Sequence, residues 1–317
     1  MAEKQKVIIT DYLHPVMFDG LIDMGFEVDL VPDITNEALS EIIDRYTGLV
    51  ISTKIKVTQV LMDKAEKLRF IARAGSGMEN IDSLYAHAKG IHVVSSPDGN
   101  ANAVAEHTIG MLLAMLNKLH IADREMRNGI WHREENRGEE LDGKTVGIIG
   151  YGHAGSRLAH KLAGFDAEVL AYDKYKSGFG TEKVREVTLK ELQKYADIIT
   201  FHVPHTPQTH HYLNDDFIAK CARSFYLINT SRGKVVDTDA LLRGLDSGKV
   251  KLAALDVYEN EQFDTLTPTE QAEMAALRSS EKVLLTPHIA GWTHQSFYKL
   301  SGILVEKIKY LLPEIVK

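Results

Sequence analysis

The chain has 317 residues, 44% of them hydrophobic and 26% charged, with a net charge of −7 and a pI near 6.1. That length exceeds one compact core and predicts two domains, and the acidic balance argues against a broad nucleic-acid footprint. One cysteine excludes an internal disulfide and fits a reducing compartment, while neither "MAEKQKVIITDYLHP" nor "TIGMLLAML" is long and apolar enough for a signal sequence or a membrane span, so a soluble, cytoplasmic protein is expected.

Short β-branched runs alternate with helical patterns from end to end, as parallel α/β sheets require. Strands are predicted at "KVIIT", "EVDLV", "GLVIS", "RFIARAG" and "HVVSS", with helices between them such as "PVMFDGLIDM" and "TNEALSEIIDRY". One long helix follows, "AVAEHTIGMLLAMLNKLHIADREMRNG", whose Met and Leu recur at three- and four-residue spacing. Most of that stripe reads as core packing, although a helix this long also makes a good dimer face. The run "EENRGEE" reads as a solvated connection between two domains. A second alternation opens at Lys144 with "KTVGIIG", "EVLAYD", "DIITFHV", "SFYLINT", "LAALDV" and "KVLLTPH". Two such arrays predict two doubly wound parallel-sheet domains, with ligands expected in the cleft between them. A last helix, from about Gln295 to Leu311, is placed to return to the first domain and make it discontinuous.

In "KTVGIIGYGHAGSRLAHKL" a buried strand runs into Gly150, Gly152 and Gly155 at G-x-G-x-x-G spacing and then into a helix. The first glycine permits the tight turn, the second lets a pyrophosphate approach the backbone, and the third lets helix pack on strand. The helix N-terminal amides then face the phosphates. Such a motif alone is weak, but here strand, helix and an acid are all in place. Asp173, 18 residues after Gly155 at the end of "EVLAYD", is positioned to accept ribose hydroxyls and to repel a 2′-phosphate, which favours NAD over NADP.

Three charged or titratable residues stand just past strands of that same half: Arg232 in "INTSRGK", Glu261 in "LDVYENE" and His288 in "LLTPHIAG". Each alone has an ordinary reading as a surface ion-pair partner, a solvated loop residue or a satisfied histidine. Together they sit at the carboxyl ends of parallel strands, the edge at which doubly wound sheets bind ligands. A guanidinium can fork a carboxylate and polarise an adjacent carbonyl. A histidine with one ring nitrogen on a carboxylate keeps a raised pKa and can pass a proton to and from an alkoxide.

Other constellations carry less. Histidines 202, 205, 210 and 211 are interrupted by Pro204 and Pro207, and no cysteine or acidic pair completes a metal set, so no metal is expected. Cys221 in "DDFIAKCARSF" reads as a small core residue. No serine nucleophile stands in a G-x-S-x-G context.

Eight ordered segments, "RAGSGMENID", "GNANAVAEHTIGMLL", "GIWHR", "ELDGKTVGIIGYGHAG", "HVPHTPQTHHYL", "INTSRGKVVDTDALLRGL", "LAALDVYENE" and "TPHIAG", resemble the D-isomer-specific 2-hydroxyacid dehydrogenase family, and the likeness covers nearly the whole chain. The resemblance implies a Rossmann coenzyme domain over residues 99–289, inserted into a flavodoxin-like substrate domain made of 1–98 and 290–317, and a homodimer. It implies a triad of Arg232, Glu261 and His288. It gives the amides of Gly75, Ser76 and Gly77 to the substrate carboxylate, sets Ser76 also near the nicotinamide, and makes Asn100 the hinge asparagine. His153 and Ala154 fall on the phosphates and Asp173 on the ribose. Val203 and Pro204 fall by the adenosine, with Thr230, Ser231, Asp256 and Ala290 on the nicotinamide side.

The sequence departs from the family pattern in places. Gln262 stands where proline is usual, the loop to His288 is longer than usual, and Ala154 replaces a larger aliphatic residue. Ser52 in "VISTKIKVT" stands where phosphoglycerate-specific members tend to have arginine, leaving Lys54 or Lys56 as point charges without the planar fork. Trp292 stands where a small residue is common and is placed to narrow the pocket or cover the nicotinamide. Both features weigh against phosphoglycerate. The chain ends at Lys317, so effector control through a further C-terminal domain is not expected. Two functions stay open: an NAD-dependent oxidoreductase of small D-2-hydroxy or 2-oxo acids (glyoxylate, hydroxypyruvate, D-lactate-like acids or 3-phosphoglycerate), and an NAD(H)-sensing binding protein of the corepressor type with the same triad.

Overall fold

A computed structural model describes residues 4–315. The chain divides into two compact units: one runs to Asn100 and resumes at Trp292, and the other spans Ala101–Gly291. The division lies two residues beyond the boundaries expected from the sequence. The first crossing falls inside the helix Pro97–Leu116 and the second in the loop before the C-terminal helix.

The first unit begins, in chain order, with β1 (Lys6–Ile9), α1 (Val16–Asp23), β2 (Glu27–Leu30), α2 (Asn36–Ser40), β3 (Gly48–Ile51), α3 (Gln59–Lys64), β4 (Phe70–Arg73), α4 (Ser83–Ala88) and β5 (His92–Ser95). The strands are all parallel in the order β2-β1-β3-β4-β5, the flavodoxin arrangement. Because side chains alternate across a strand, each central strand feeds two cores. Ile8, Leu49, Ile51 and Ile71 face the side packed by Leu61 and Met62 of α3. Val7, Ile9, Val50 and Phe70 face the other, packed by Met17 and Leu21 of α1 and by Leu304 and Ile308 of the C-terminal helix, which thus belongs to this unit. The expected helix "TNEALSEIIDRY" is shorter than its pattern: after α2 the chain makes a separate 3₁₀ turn at Ile43–Arg45.

Next comes α5 (Pro97–Leu116), opening on a proline whose missing N–H costs nothing in a first turn. It is followed by α6 (Leu119–Arg127). The single helix expected over 103–129 is therefore two. Lys118 takes a left-handed backbone, φ 52°, which ends the helical hydrogen-bond run. The "EENRGEE" run does not join two domains; it lies within the second unit. The Glu139 amide donates to the Leu116 carbonyl, and its carboxylate accepts from Lys144 and from the Tyr226 hydroxyl, so the run folds back on the end of α5.

The rest of this unit is β6 (Thr145–Ile149), α7 (His153–Leu162), β7 (Glu168–Tyr172), β8 (Arg185–Glu186), α8 (Leu189–Tyr195), β9 (Ile198–Phe201), α9 (Asp215–Lys220), β10 (Phe225–Asn229), α10 (Thr238–Asp246), β11 (Val250–Leu255), α11 (Pro268–Ser279) and β12 (Val283–Leu285). The final helix, α12 (His294–Ile315), lies in the first unit. The strand order β12-β11-β10-β9-β6-β7-β8 is parallel throughout and reverses direction between β6 and β9, the Rossmann pattern with its ligand-binding switch point. The four middle strands are buried along nearly their whole length, which is why they read as unbroken apolar runs. The stretch between Glu261 and His288 holds a 3₁₀ turn and α11, whose capping box at Thr267 and Glu270 fixes its start.

Candidate active site

The glycine loop leaves β6 at the switch point. Gly150 has φ +97°, and a Cβ there would meet the His202 carbonyl oxygen at 2.4 Å, so the turn requires glycine. A Cβ at Gly155 would stand 2.0 Å from the Gly150 carbonyl oxygen, so the third glycine lets α7 close on the loop. Around Gly152 a Cβ would meet nothing within 4 Å, leaving the backbone open on that side. Gly152 caps α7 without any side-chain bond, so His153 and Ala154 open a ten-residue helix at the mouth of the loop. An open backbone before a helix N-terminus fits the pyrophosphate of a dinucleotide.

Asp173 follows β7 directly. Its Oδ2 accepts from the Tyr151 amide of the glycine loop at 2.8 Å, and its Oδ1 from the amides of Tyr175 and Lys176 at 2.9 and 3.1 Å. A carboxylate has about four acceptor positions, so room remains for a ribose hydroxyl. Val203 and Pro204 lie just past β9 on the opposite side of the switch point.

The triad residues project from the ends of the next three strands. His288 Nδ1 lies 2.8 Å from Glu261 Oε2. A carboxylate only accepts, so Nδ1 carries the shared hydrogen and Nε2 is left for exchange. The Glu261 hydrogen bond raises the His288 pKa above the ordinary imidazole value, helped by the charges of Glu261 and Asp256; desolvation and the nearby Arg232 oppose it. Tyr258 ties the two segments together: its amide donates to Glu261 Oε1 at 3.4 Å, and its hydroxyl donates to the Thr286 carbonyl at 2.8 Å. His288 itself has φ +54°, a left-handed conformation that a non-glycine residue holds only when its surroundings impose it.

The imposing group is Asp256, fully buried after β11. Its Oδ1 accepts from the Thr286 hydroxyl at 2.5 Å and the Ile289 amide at 2.9 Å, its Oδ2 accepts from the Ala290 amide at 2.8 Å, and its own carbonyl accepts from the His288 amide at 2.8 Å. Burial pushes this carboxyl up, but bonds from His107, Thr286 and the two amides outweigh it and hold the group below the usual carboxylate range. Asn229, the buried last residue of β10, does the same for the arginine turn. Its Oδ1 accepts from the Ser231 amide and hydroxyl, and its Nδ2 donates to the Arg232 carbonyl at 2.9 Å. Thr230 and Ser231 are buried in this turn, and Arg232 Nη1 donates to the Ser231 carbonyl. The sequence reading missed Asn229 and Thr286 altogether and gave Asp256 no structural task. A polar residue at the very end of an apolar strand is the signal that would have found Asn229.

In the first unit, Gly75, Ser76 and Gly77 form the turn after β4. Gly75 has φ +151°, and its amide already donates to the Arg73 carbonyl at 2.9 Å. The Ser76 hydroxyl donates to Asn100 Oδ1 at 2.9 Å, which ties the turn to the first turn of α5. After β3, the Ser52 carbonyl accepts from Asn80, and the Lys54 ammonium is bound to the Pro32 carbonyl. Trp292 is 67% exposed and meets the Phe297 ring edge-on at 5.9 Å.

Among the described residues no group of three or more His, Cys, Asp or Glu side chains could hold a metal, and no helix is long and apolar enough to cross a membrane. His205 faces His210 at 3.3 Å, while His211 bonds Glu259 at 2.7 Å. His202, pushed down to about 4 by desolvation, is a neutral partner of Thr200. Cys221 is buried at the end of α9, where desolvation pushes its thiol up to about 12.

Residues 109–290 match the family model described as D-isomer specific 2-hydroxyacid dehydrogenase, NAD binding domain. The chain is 36% identical to D-3-phosphoglycerate dehydrogenase of Methanocaldococcus jannaschii over 97% of its own length and 57% of that protein, so it spans little more than half of that relative. It is 36% identical to hydroxypyruvate reductase of Thermotoga maritima over 87% of its own length and 88% of that protein. Its fold matches the crystal structure of D-lactate dehydrogenase from Aquifex aeolicus, complexed with NAD and lactic acid, with a TM-score of 0.85 and 31% identity over 98% and 96% of the two chains.

Proposed function

The chain belongs to the D-isomer-specific 2-hydroxyacid dehydrogenase family, and from that premise we propose that it reduces a small 2-oxo acid to the D-2-hydroxy acid, and reverses that reaction, with NAD(H). The observation that carries this reading is the 2.8 Å pairing of His288 Nδ1 with Glu261, on a loop held in a strained conformation beside Arg232. Bound NAD supplies the hydride chemistry at C2. Arg232 forks the substrate carboxylate and polarises the carbonyl. His288, its pKa raised by the Glu261 hydrogen bond, gives its Nε2 proton to the oxygen developing negative charge and retrieves it in the reverse direction. The family resemblance also gives the Ser76 and Gly77 amides to the substrate carboxylate. The Gly75 amide is engaged with Arg73 and serves to shape the turn. Asp173 takes the adenosine ribose, while Thr230, Ser231, Asp256 and Ala290 frame the nicotinamide end.

Hydroxypyruvate, glyoxylate and D-lactate-like acids suit the site better than a phosphorylated acid. Ser52 brings no cation to the loop after β3, and Lys54 is tied to the Pro32 carbonyl. NADH oxidation on glyoxylate, hydroxypyruvate, pyruvate and phosphohydroxypyruvate tests the reading. Turnover of at least one acid is expected, and tight NADH binding without turnover of any would replace it with the NAD(H)-sensing reading.

A further inference from the structure

α5 presents one face to both loops that carry the proposed chemistry. His107 Nε2 lies 3.2 Å from the Thr286 hydroxyl oxygen and 3.5 Å from Asp256 Oδ1. One turn later, Met111 Sδ lies 3.9 Å from the same hydroxyl. Thr108 completes the face, its hydroxyl 3.0 Å from that of Thr230. We infer that His107 is a positioning residue which, through the Thr286 hydroxyl and the Asp256 carboxylate, fixes the loop carrying His288. This rests on the assignment of His288 as the proton carrier.

The proton inventory gives the contact a direction. The Thr286 hydroxyl has one hydrogen, and at 2.5 Å from a carboxylate oxygen it must donate there. Its lone pairs then accept, so the contact with His107 requires Nε2 to carry hydrogen. The chain runs from His107 N–H to the Thr286 oxygen and from the Thr286 O–H to Asp256 Oδ1, where the Ile289 amide also arrives. Thr108 obeys the same logic. Its hydroxyl donates to the Val104 carbonyl at 2.7 Å, so Thr230 is the donor between the two threonines. His107 stands 179 positions from Thr286, and its Nε2 faces both that hydroxyl and the Asp256 oxygen that accepts from it. The left-handed conformation of His288 needs external support, and both flanks of that residue end on the Asp256 carboxylate. Loosening one donor frees the Thr286 side chain, weakens the register of the Ile289 amide, and lets the imidazole drift from Glu261.

Two substitutions separate a positioning role from simple packing. His107→Phe keeps the ring volume without the donor. His107→Gln places an amide nitrogen the same number of bonds from Cα as Nε2. The Phe variant should lose roughly 10- to 100-fold in kcat, with NADH affinity within about twofold of wild type, because the glycine loop is untouched. Its rate of 2-oxo acid reduction should also fail at a lower pH as Glu261 loses its hold on His288. The Gln variant should recover most of the rate, Thr286→Val should reproduce the defect, and the double variant should be no worse than Thr286→Val alone. A wild-type kcat and pH profile in His107→Phe, or a Gln variant as damaged as Phe, overturns the inference. Amide hydrogen exchange over residues 284–291, without substrate, gives a readout independent of turnover. Faster exchange in His107→Phe at an unchanged melting temperature is expected, and unchanged protection overturns the inference as well. If wild type turns over no acid while that exchange still quickens, the positioning stands and the oxidoreductase reading fails.

Discussion

The proton transfer proposed for His288 needs, near neutrality, a partner that stabilises the charged imidazole, and Glu261 lies 2.8 Å from Nδ1. In the reducing direction the proton is available only below the His288 pKa, which this contact raises. Glu261→Gln removes the charge, so the alkaline limb of the pH–rate profile should move to lower pH, and in the oxidising direction the acid limb should move with it. Profiles of kcat/KM for both directions would show this, and an unmoved limb would remove Glu261 from the mechanism. The sign for folding is parallel. A raised folded pKa contributes stability below the unfolded imidazole value, and that contribution fades as pH rises through the folded one. His288→Ala should lower kcat by about 10²–10⁴-fold, the usual contribution of a general acid, while NADH binding changes little. Arg232, Glu261 and His288 were legible in the sequence because each is a charged or titratable residue just beyond an apolar strand. Asn229 ends an apolar strand and could have been found by that, but Thr286 and His107 could not, because hydrogen bonding within a fold leaves no pattern along the chain. Thr286 reads as a strand terminus and His107 as one position on an apolar helix.

The glycine loop shows how one motif divides its labour among residues that look alike in sequence. Gly155 is closed by backbone, 2.0 Å from the Gly150 oxygen, whereas Gly152 faces open space. Gly155→Ala should therefore force the loop from the helix and cost about 1–3 kcal/mol, a melting-temperature loss on the order of 5 °C for a domain of this size. Gly152→Ala should leave the melting temperature of the protein without ligand nearly unchanged and weaken NADH binding at least tenfold, if the open space at Gly152 is the pyrophosphate site proposed for it. Calorimetry and NADH fluorescence titration separate the two; equal destabilisation by both substitutions would refute this division. Strands, glycine loop and C-terminal helix were legible because buried parallel strands are short, apolar and β-branched. The break after α5 was not. Periodicity continues across residues 117 and 118, and the helix ends where Lys118 turns left-handed and the Glu139 amide, far along the chain, takes the Leu116 carbonyl. Local pattern cannot register a stop that a distant segment helps to set.

At the scale of the molecule, the alternation of strands and helices announced two sheets, and the last helix announced a discontinuous first unit. α12 puts Leu304 and Ile308 into that core. The first crossing between units lies within α5, a helix of unbroken pattern, where the sequence offers no mark for a boundary. The same scale holds the question of assembly. None of the residues of α6 is buried, yet Leu119, Met126, Ile130 and Trp131 on it and just after it are all exposed, Trp131 at 72%. Single exposed apolar residues are ordinary, but four within thirteen positions, one of them a tryptophan, make this stretch the place to test the homodimer expected from the sequence. A second copy of the chain is the partner that the family resemblance implies. Trp131→Ser combined with Met126→Ser should move the protein from dimer to monomer in sedimentation at micromolar concentration. The melting temperature of the wild type should rise with concentration and that of the double variant should not, since only an assembling protein gains stability by mass action. A wild-type chain that sediments as a monomer, with a melting temperature indifferent to concentration, would leave this face without the partner assigned to it.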